Sequence, residues 1–358
     1  MKRILVTGAG GTPATNFVRS LRESPEPFHL IGADCNPYCL QRAETDEKIL
    51  IPEAADPDFI PLLRSVIAET GAELIHSQPD VEILPISSNR QSLGARTYLP
   101  KHTTIEILQD KYQSFLKWQE AGLKVPDTML IQNEVDLKIA FERFGKPIWL
   151  RAIVSPGAGR GSFRAESLTI ARSWLDFWQG WGQFTAAECL EPHSITWMSL
   201  WHRGELIVAQ GRKRLYWEFA NRAPSGVTGI TGTGVTVSDP EVDSIALAAI
   251  RAIDSSPHGI FSVDLTYDKR GVPNPTEINI GRFFTTHLFF TRAGLNMPYF
   301  FTKLAFGEPL PPIPVKVNPL PPGLAWIRGM DFLPVLTDIA HVEASALELK
   351  ERKERLDS

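Results

Sequence analysis

Three cysteines in 358 residues, Cys35, Cys39 and Cys189, are too few for a disulfide framework. Cys35 and Cys39 have no second cysteine pair, and His29 is the only histidine near them in sequence, which argues against a zinc site and for reduced thiols. No stretch reaches the run of about 18 apolar residues that a spanning helix needs. Met1-Lys2-Arg3-Ile4-Leu5-Val6 runs straight into a strand-like segment without the apolar core of a signal peptide, so the expected location is the cytoplasm. Charge of either sign is scarce in excess: 37 Lys and Arg against 41 Asp and Glu leave a net charge of −4, with no bulk attraction to nucleic acid or an anionic membrane. Internal repeats are absent.

What is present suits a protein of two or three domains, at about 100–200 residues each. Hydrophobic residues make up 43% of the chain, enough for ordinary cores. Residues 1–105 alternate short β-rich runs (3–7, 29–34, 48–51, 73–77) with helical spacing at 12–21 and again from Pro57 to Gly71. That alternation predicts a parallel sheet covered by helices. Beyond residue 105 the pattern changes. Helices are expected at 111–121, 135–144 and 168–178, the last with a Trp- and Phe-rich face read as core. A strand at 147–153 lies between the second and third. Strands dominate from 184 on, with hairpins at 194–217 and 259–280 around a helix at 240–254. The prolines of 309–322 break regular structure, and the charged tail 347–358 is expected to be a solvated helix or frayed end.

The last hairpin carries the sharpest chemical signal. In Ile260-Phe261-Ser262-Val263-Asp264-Leu265, alternation puts Phe261, Val263 and Leu265 on one face and Asp264 on the other. In Thr276-Glu277-Ile278-Asn279-Ile280, Glu277 and Asn279 share a face opposite Ile278 and Ile280. Carboxylates held close repel unless a cation neutralises them. Oxygen ligands of this kind suit Mg²⁺, which is usually held by one or two carboxylates plus substrate phosphates. A hairpin with a merely polar outer face is the alternative. Arg151 ends an apolar strand just before Ser155-Pro156-Gly157-Ala158-Gly159-Arg160-Gly161-Ser162. Gly157, Gly159 and Gly161 let backbone N–H groups approach an anion, and Arg160 adds charge. The Gly-Lys-Ser/Thr ending of a Walker loop is missing, so that motif is excluded. A plain surface loop remains the alternative. Asp110-Lys111 opens a helix upstream of these segments.

In this order — Asp-Lys on a helix, a strand ending in arginine, a glycine-rich loop, a Glu-x-Leu strand, then Asp and Glu-x-Asn — the chain resembles the ATP-grasp superfamily over residues 105–307. The nearest likeness is to the branch of the carbamoyl-phosphate-synthase large subunit, biotin carboxylase and the carboxylate–amine ligases. Residues 1–105 resemble the pre-ATP-grasp domain. The implied fold is α/β and α+β: a Rossmann-like domain (1–105), an ATP-grasp subdomain with the flap (106–183), a second with the metal site (184–330) and a tail (331–358). The resemblance implies that Lys111 and Arg151 contact ATP phosphates, with Gly157, Gly159, Arg160 and Gly161 as the flap. Glu188, Cys189 and Leu190 would form the hinge strand beside adenine. Asp264, Glu277 and Asn279 would hold one or two Mg²⁺, and Arg282 would steady the transferred phosphoryl or acyl phosphate. Two departures stand out. Glu191-Pro192-His193-Ser194 follows the hinge where the family often has a ribose-binding glutamate, and Gly281 intervenes before Arg282.

The implied activity is Mg-ATP-dependent activation of a small carboxylate as an acyl phosphate and its coupling to an amine. Carbamate or bicarbonate phosphorylation is the near alternative. Arg212 and Arg214 share a strand face and could clamp a substrate carboxylate, or they could be a solvated basic face. The partners expected are small molecules, with a homodimer as the default for a soluble enzyme. A rival is a nicotinamide enzyme of the short-chain dehydrogenase kind. Gly8-Ala9-Gly10-Gly11 follows the first strand and Asp34 ends the second, but Pro13 takes the place of the third glycine. Tyr299 and Lys303 form a Tyr-x-x-x-Lys pair, read as chance. A non-catalytic nucleotide-binding relative is a further rival. Asp80 and Glu82 could face the interdomain cleft or serve helix capping.

Overall fold

The computed structural model describes residues 1–154, 159, 161–228, 230–331 and 333–356. The first third alternates as its sequence predicts. Strand β1 (Lys2–Thr7) leads through a glycine turn into α1 (Thr12–Arg22), whose first turn holds Pro13, where a missing N–H costs nothing. Then come β2 (Phe28–Asp34), α2 (Pro37–Gln41), β3 (Glu47–Leu50), α3 (Phe59–Thr70) and β4 (Leu74–Ser77). Helix α3 buries the stripe Phe59, Leu62, Leu63, Val66 and Ile67. Helix α4 (Asp80–Asn89), strand β5 (Arg96–Thr97) and helix α5 (His102–Gln109) complete the unit. All pairings are parallel, in the order β3-β2-β1-β4-β5. Helices α2, α4 and α5 are additions to the sequence reading. Both α2 and α5 are short, and Pro85 lies inside α4.

The next unit opens with α6 (Lys111–Glu120), capped by Asp110, whose carboxylate accepts from the N–H groups of Tyr112 and Gln113. Strand β6 (Thr128–Ile131), α7 (Glu134–Phe144), β7 (Ile148–Ala152), β8 (Phe163–Ala165), α8 (Leu168–Phe177) and β9 (Phe184–Glu188) follow. The sheet order is β6-β9-β7-β8, all antiparallel. Phe163, Trp174 and Trp178 pack on its core around Leu150, Ala171 and Leu175, so the aromatic face of α8 is core.

A larger antiparallel sheet follows, built from β10 (Ser194–His202), β11 (Glu205–Arg214), β12 (Thr233–Val237), β13 (Gly259–Tyr267) and β14 (Pro273–Ile280). Helix α9 (Pro240–Ile253) lies within this run, and α10 (Leu288–Arg292) and α11 (Met297–Ala305) follow it. A short β15 (Ala325–Ile327) closes the edge in the order β14-β13-β10-β11-β12-β15. Strand β11 ends at Arg214, short of the expected residue 217; Trp217 forms an isolated bridge to Thr231 instead. One face of the β13–β14 hairpin, with Phe261, Val263, Leu265, Ile278 and Ile280, joins a core with Ile105, Trp118, Ala246 and Ile250.

The N-terminal unit is bound to this sheet. Phe17 and His76 stack at 4.2 Å and meet Phe283 and Phe301. Tyr299 and Lys303 both bond Glu26, at 2.6 and 2.8 Å, which gives this pair a bracing role between domains. The tail is helical, α12 (Ile339–Leu356), but it is not free: it lies against α2, β3 and α3. Arg352 pairs with Glu69, and Lys353 reaches Asp56 at 2.5 Å. Those two ion pairs and buried Val342 dock it, where the sequence reading expected a solvated or frayed end.

Candidate active site

Period-two alternation places the acidic residues of the last hairpin together. Asp264 and Glu277 are cross-strand partners, and Asn279 stands opposite Ser262. A bulge between Asp264 and Leu265 lets β14 fit an extra residue at this point. Asn279 Nδ2 donates to Asp264 Oδ2 at 3.1 Å, and Thr196 Oγ1 donates to Asp264 Oδ1 at 2.5 Å. Glu277 faces two cations from the preceding unit. Lys111 Nζ lies 3.2 Å from Oε1, and Arg151 binds Oε2 with one nitrogen while Nη1 donates to Thr276 O at 3.1 Å. Lys111 is brought there because its own N–H bonds Ile153 O at 3.0 Å, which pins the start of α6 to the end of β7. Burial would raise the Glu277 carboxyl, but Arg151 and then Lys111 override it and hold it at about 2. Burial pulls the Lys111 ammonium below its usual range against the pull of Glu277.

Arg282 joins this cluster. Nη2 donates to Asn279 Oδ1 and to Asp80 Oδ2, both at 2.6 Å, and Nε also binds Asp80. Asp80 opens α4 of the N-terminal unit, so Arg282 links that unit to the β13–β14 hairpin. The residue before Arg282 makes a tight corner. Gly281 has φ +73°, and a Cβ there would lie 2.9 Å from Leu99 Cδ2 and 3.3 Å from Ile83 Cγ2. Only glycine fits this corner against α4 without strain.

On β11, Arg212 is 1% exposed. Its guanidinium donates to Thr231, Thr286 and Thr196 hydroxyls at 3.0, 2.8 and 2.7 Å and lies 4.6 Å from the Phe284 ring centre. Burial, and then Arg214, lowers it to about 9. Arg214 donates to Ser194 Oγ at 2.8 Å and Thr231 Oγ1 at 2.9 Å, and stands 4.0 Å from Asp264. The basic face is therefore buried, which overturns the solvated alternative. The strand packs against hydroxyl-bearing neighbours that satisfy charged donors inside the protein.

Of the residues expected to form a flap, Gly157 and Arg160 lie outside the described residues. Gly159 and Gly161 both have positive φ, and a Cβ on Gly159 would meet Val227 O at 2.7 Å, so Gly159 lies close to Val227. Glu188, Cys189 and Leu190 form the passage from β9 into β10. Glu188 exchanges two bonds with Asp127, its N–H to Asp127 O and its Oε1 from Asp127 N, both at 3.1 Å. Burial pushes the Cys189 thiol up, which suits an inert position. Among the described residues no group of three or more His, Cys, Asp and Glu could hold a metal. The candidate cation site thus offers two carboxylates and an amide.

Thr196, Thr231 and Thr286 were not singled out from the sequence. For Thr196 the strand alternation with Ser194 was the available signal. At the N-terminal glycine turn, Asp34 is already engaged: Oδ2 accepts from Gly10 N and Oδ1 from Asn36 N, both at 2.9 Å. Asp34 therefore braces the glycine turn.

No family model and no curated protein matches the sequence. Solved structures do. N5-carboxyaminoimidazole synthetase from Staphylococcus aureus, complexed with ADP, superposes with a TM-score of 0.66 at 15% identity, over 89% of this chain and 80% of that one. A biotin carboxylase–β,γ-ATP complex from Campylobacter jejuni gives 0.67 at 17% identity, over 87% and 72%. L-amino acid ligase from Bacillus licheniformis gives 0.63 at 12% identity, over 85% and 74%. At such low identity these likenesses bear on architecture, and in architecture the chain has the ATP-grasp fold preceded by a Rossmann-like domain.

Proposed function

We propose that the protein is a Mg-ATP-dependent ligase that couples a small carboxylate to an amine. The observation that carries this is the meeting of Lys111, Arg151 and Arg282 around Glu277, Asp264 and Asn279. Five cations (Lys111, Arg151, Arg212, Arg214, Arg282) stand against three carboxylates (Asp80, Asp264, Glu277) in this region. Arg212 Nε is buried without a partner. That surplus of positive charge fits a polyphosphate, and the hairpin oxygens fit Mg²⁺. The solved structures with this fold include complexes with ADP, ATP and MgADP.

Bound Mg-ATP would supply a phosphoryl group to the substrate carboxylate, with ADP as the leaving group. Lys111 and Arg151 hold the phosphate end, with Glu277 keeping both side chains in place. Asp264, Glu277 and Asn279 would hold the metal. Arg282, oriented by Asp80, faces developing negative charge beside Asn279. Arg212 and Arg214 orient the carboxylate. Gly157, Gly159, Arg160 and Gly161 exclude water as the flap, and Glu188, Cys189 and Leu190 border the adenine. No nucleophilic side chain is required, because positioning and fixed charge carry phosphoryl transfer. A homodimer and a cytoplasmic location go with this reading; no helix among the described residues is long and apolar enough to cross a membrane.

The test is phosphate release from ATP across pools of carboxylates and amines, with bicarbonate included because one structure of this fold holds it. Release that needs both an organic carboxylate and an amine supports ligation. Release with bicarbonate alone favours the phosphorylation alternative.

A further inference from the structure

The likeness in sequence ends at residue 307, but the charge network of the large sheet extends beyond it. Strand β15 runs along the edge of β12, and Arg328 follows it. Arg328 Nη1 donates to Thr231 O at 2.9 Å, while its other nitrogens bind both oxygens of Asp331. The Arg328 and Asp331 side chains are 5% and 8% exposed, so this pair lies inside the protein. Thr231 is also bridged to Trp217: Gly232 N donates to Tyr216 O at 3.1 Å and Glu218 N to Ile230 O at 2.8 Å. The backbone at Thr231 is thus fixed from two sides.

The buried Thr231 hydroxyl accepts from two guanidinium groups at once, Arg212 Nη1 at 3.0 Å and Arg214 Nε at 2.9 Å. Like charges repel, so meeting on one oxygen is costly, and the arrangement decides which donors stay free. Arg212 spends Nη1 on Thr231 and Thr286 and Nη2 on Thr196, and its Nε is sealed. Arg214 spends Nε on Thr231 and Nη1 on Ser194. Aromatic rings cover both groups, Phe284 at 4.6 Å from Arg212 and Trp217 at 3.5 Å from Arg214, so only guanidinium edges can donate. Among the described residues none accepts a hydrogen bond from Arg214 Nη2, and unlike Arg212 Nε it is not sealed from solvent. Asp264 Oδ1 stands 4.0 Å from it and belongs to the set that would hold the metal. Asp331 is taken by Arg328. Arg212 and Arg214 therefore carry more positive charge than their neighbours neutralise, which fits one small anion at the edge of Arg214.

We propose that Thr231, locked by Arg328, is the positioning residue of the carboxylate subsite: it fixes Arg212 and Arg214 so that Arg214 Nη2 meets the substrate carboxylate. The inference rests on the ligase reading and divides the work of the two arginines. Arg214 touches the substrate. Arg212, beneath it, binds Thr196, whose hydroxyl donates to Asp264. The same chain of bonds sets the carboxylate beside the metal end of the hairpin, where its oxygen must meet the phosphoryl group.

The test is hydroxamate formation by the full chain with Mg-ATP and hydroxylamine, which converts an acyl phosphate to a hydroxamate and free phosphate. The carboxylate probes are acetate, succinate and the common L-amino acids, one by one. The best of them is then carried into three variants. Thr231→Val keeps the shape and removes the hydroxyl. It should raise KM for that carboxylate about tenfold or more, with KM for ATP held within about twofold. Thr231→Ser restores the hydroxyl and should return the carboxylate KM to within about threefold of the wild type. Arg328→Lys loses the forked contact and should raise the carboxylate KM in the same direction, which covers a Thr231→Val that folds poorly. A carboxylate KM unchanged in Thr231→Val or in Arg328→Lys, a KM for ATP that rises in step, or a serine variant as impaired as the valine one would overturn the inference. So would silence of every carboxylate in a wild type that Mg-ATP stabilises. A wild type that ignores Mg-ATP would instead count against the ligase reading itself.

Discussion

Glu277 accepts from Lys111 and Arg151, which come from a different subdomain than its own strand. Replacing it with glutamine keeps the shape and removes the charge. Glu277→Gln should lower ATP turnover by at least about 100-fold, the scale of losing one preorganised electrostatic contact. Turnover within a few-fold of the wild type would remove Glu277 from the site. Buried Glu82 makes a separate prediction in pH. Its folded-state value of about 7 lies above the ordinary 4.5, so the folded chain holds that proton more tightly than the unfolded one. Its contribution to stability is complete below about pH 4.5 and is lost as pH rises through 7. Melting temperatures of wild type and Glu82→Gln at pH 5 and pH 8 should show a decline with pH in the wild type that the variant lacks. Parallel slopes would contradict the burial argument.

At the scale of elements, the β13–β14 hairpin and the corner after it decide where the charges sit. Gly281 turns the chain at positive φ against Leu99 and Ile83 and delivers Arg282 to Asp80. Gly281→Ala should destabilise the protein by about 1–3 kcal/mol, the usual cost of a strained backbone position. It should also reduce turnover through a displaced Arg282. Urea unfolding and steady-state rates check both. Unchanged stability and rate would show that the corner tolerates a side chain. The hairpin was legible in the sequence because a two-residue period sorts Asp264, Glu277 and Asn279 from Phe261, Val263 and Ile278 without any knowledge of neighbours. Lys111 and Arg151 were legible only through the order of motifs, since nothing local tells a helix-start lysine from a solvated one. The Asp80–Arg282 pair was not legible. Its partners are 202 residues apart, and the contact exists only because α4 packs under the Gly281 corner. The burial of Arg212 was hidden for the same kind of reason, since its threonine partners come from β10 and from the segments around residues 231 and 286.

At the scale of the whole molecule, the tail returns to the first domain. Helix α12 docks on α2, β3 and α3 through Arg352, Lys353 and Val342. Deleting residues 339–358 should lower the melting temperature by several degrees, since each docked contact of this kind is worth on the order of 1 kcal/mol. Mg-ATP should still stabilise the shortened chain, because the helix lies away from the hairpin. An unchanged melting temperature would show that the docking contributes nothing. This return is not legible in the sequence, because a charged helix on another domain's surface has the same composition as a solvated one. The central claim concerns the join of the two grasp sheets over a nucleotide. It is tested most directly by comparing the melting temperature of the wild type with Mg-ATP, with ATP and a chelator, and with NAD⁺ or NADP⁺. Mg-ATP should stabilise strongly, ATP without metal less, and the nicotinamide cofactors not at all; stabilisation by NAD⁺ or NADP⁺ without a response to Mg-ATP would contradict the ligase reading and return the N-terminal glycine turn to the centre of the function.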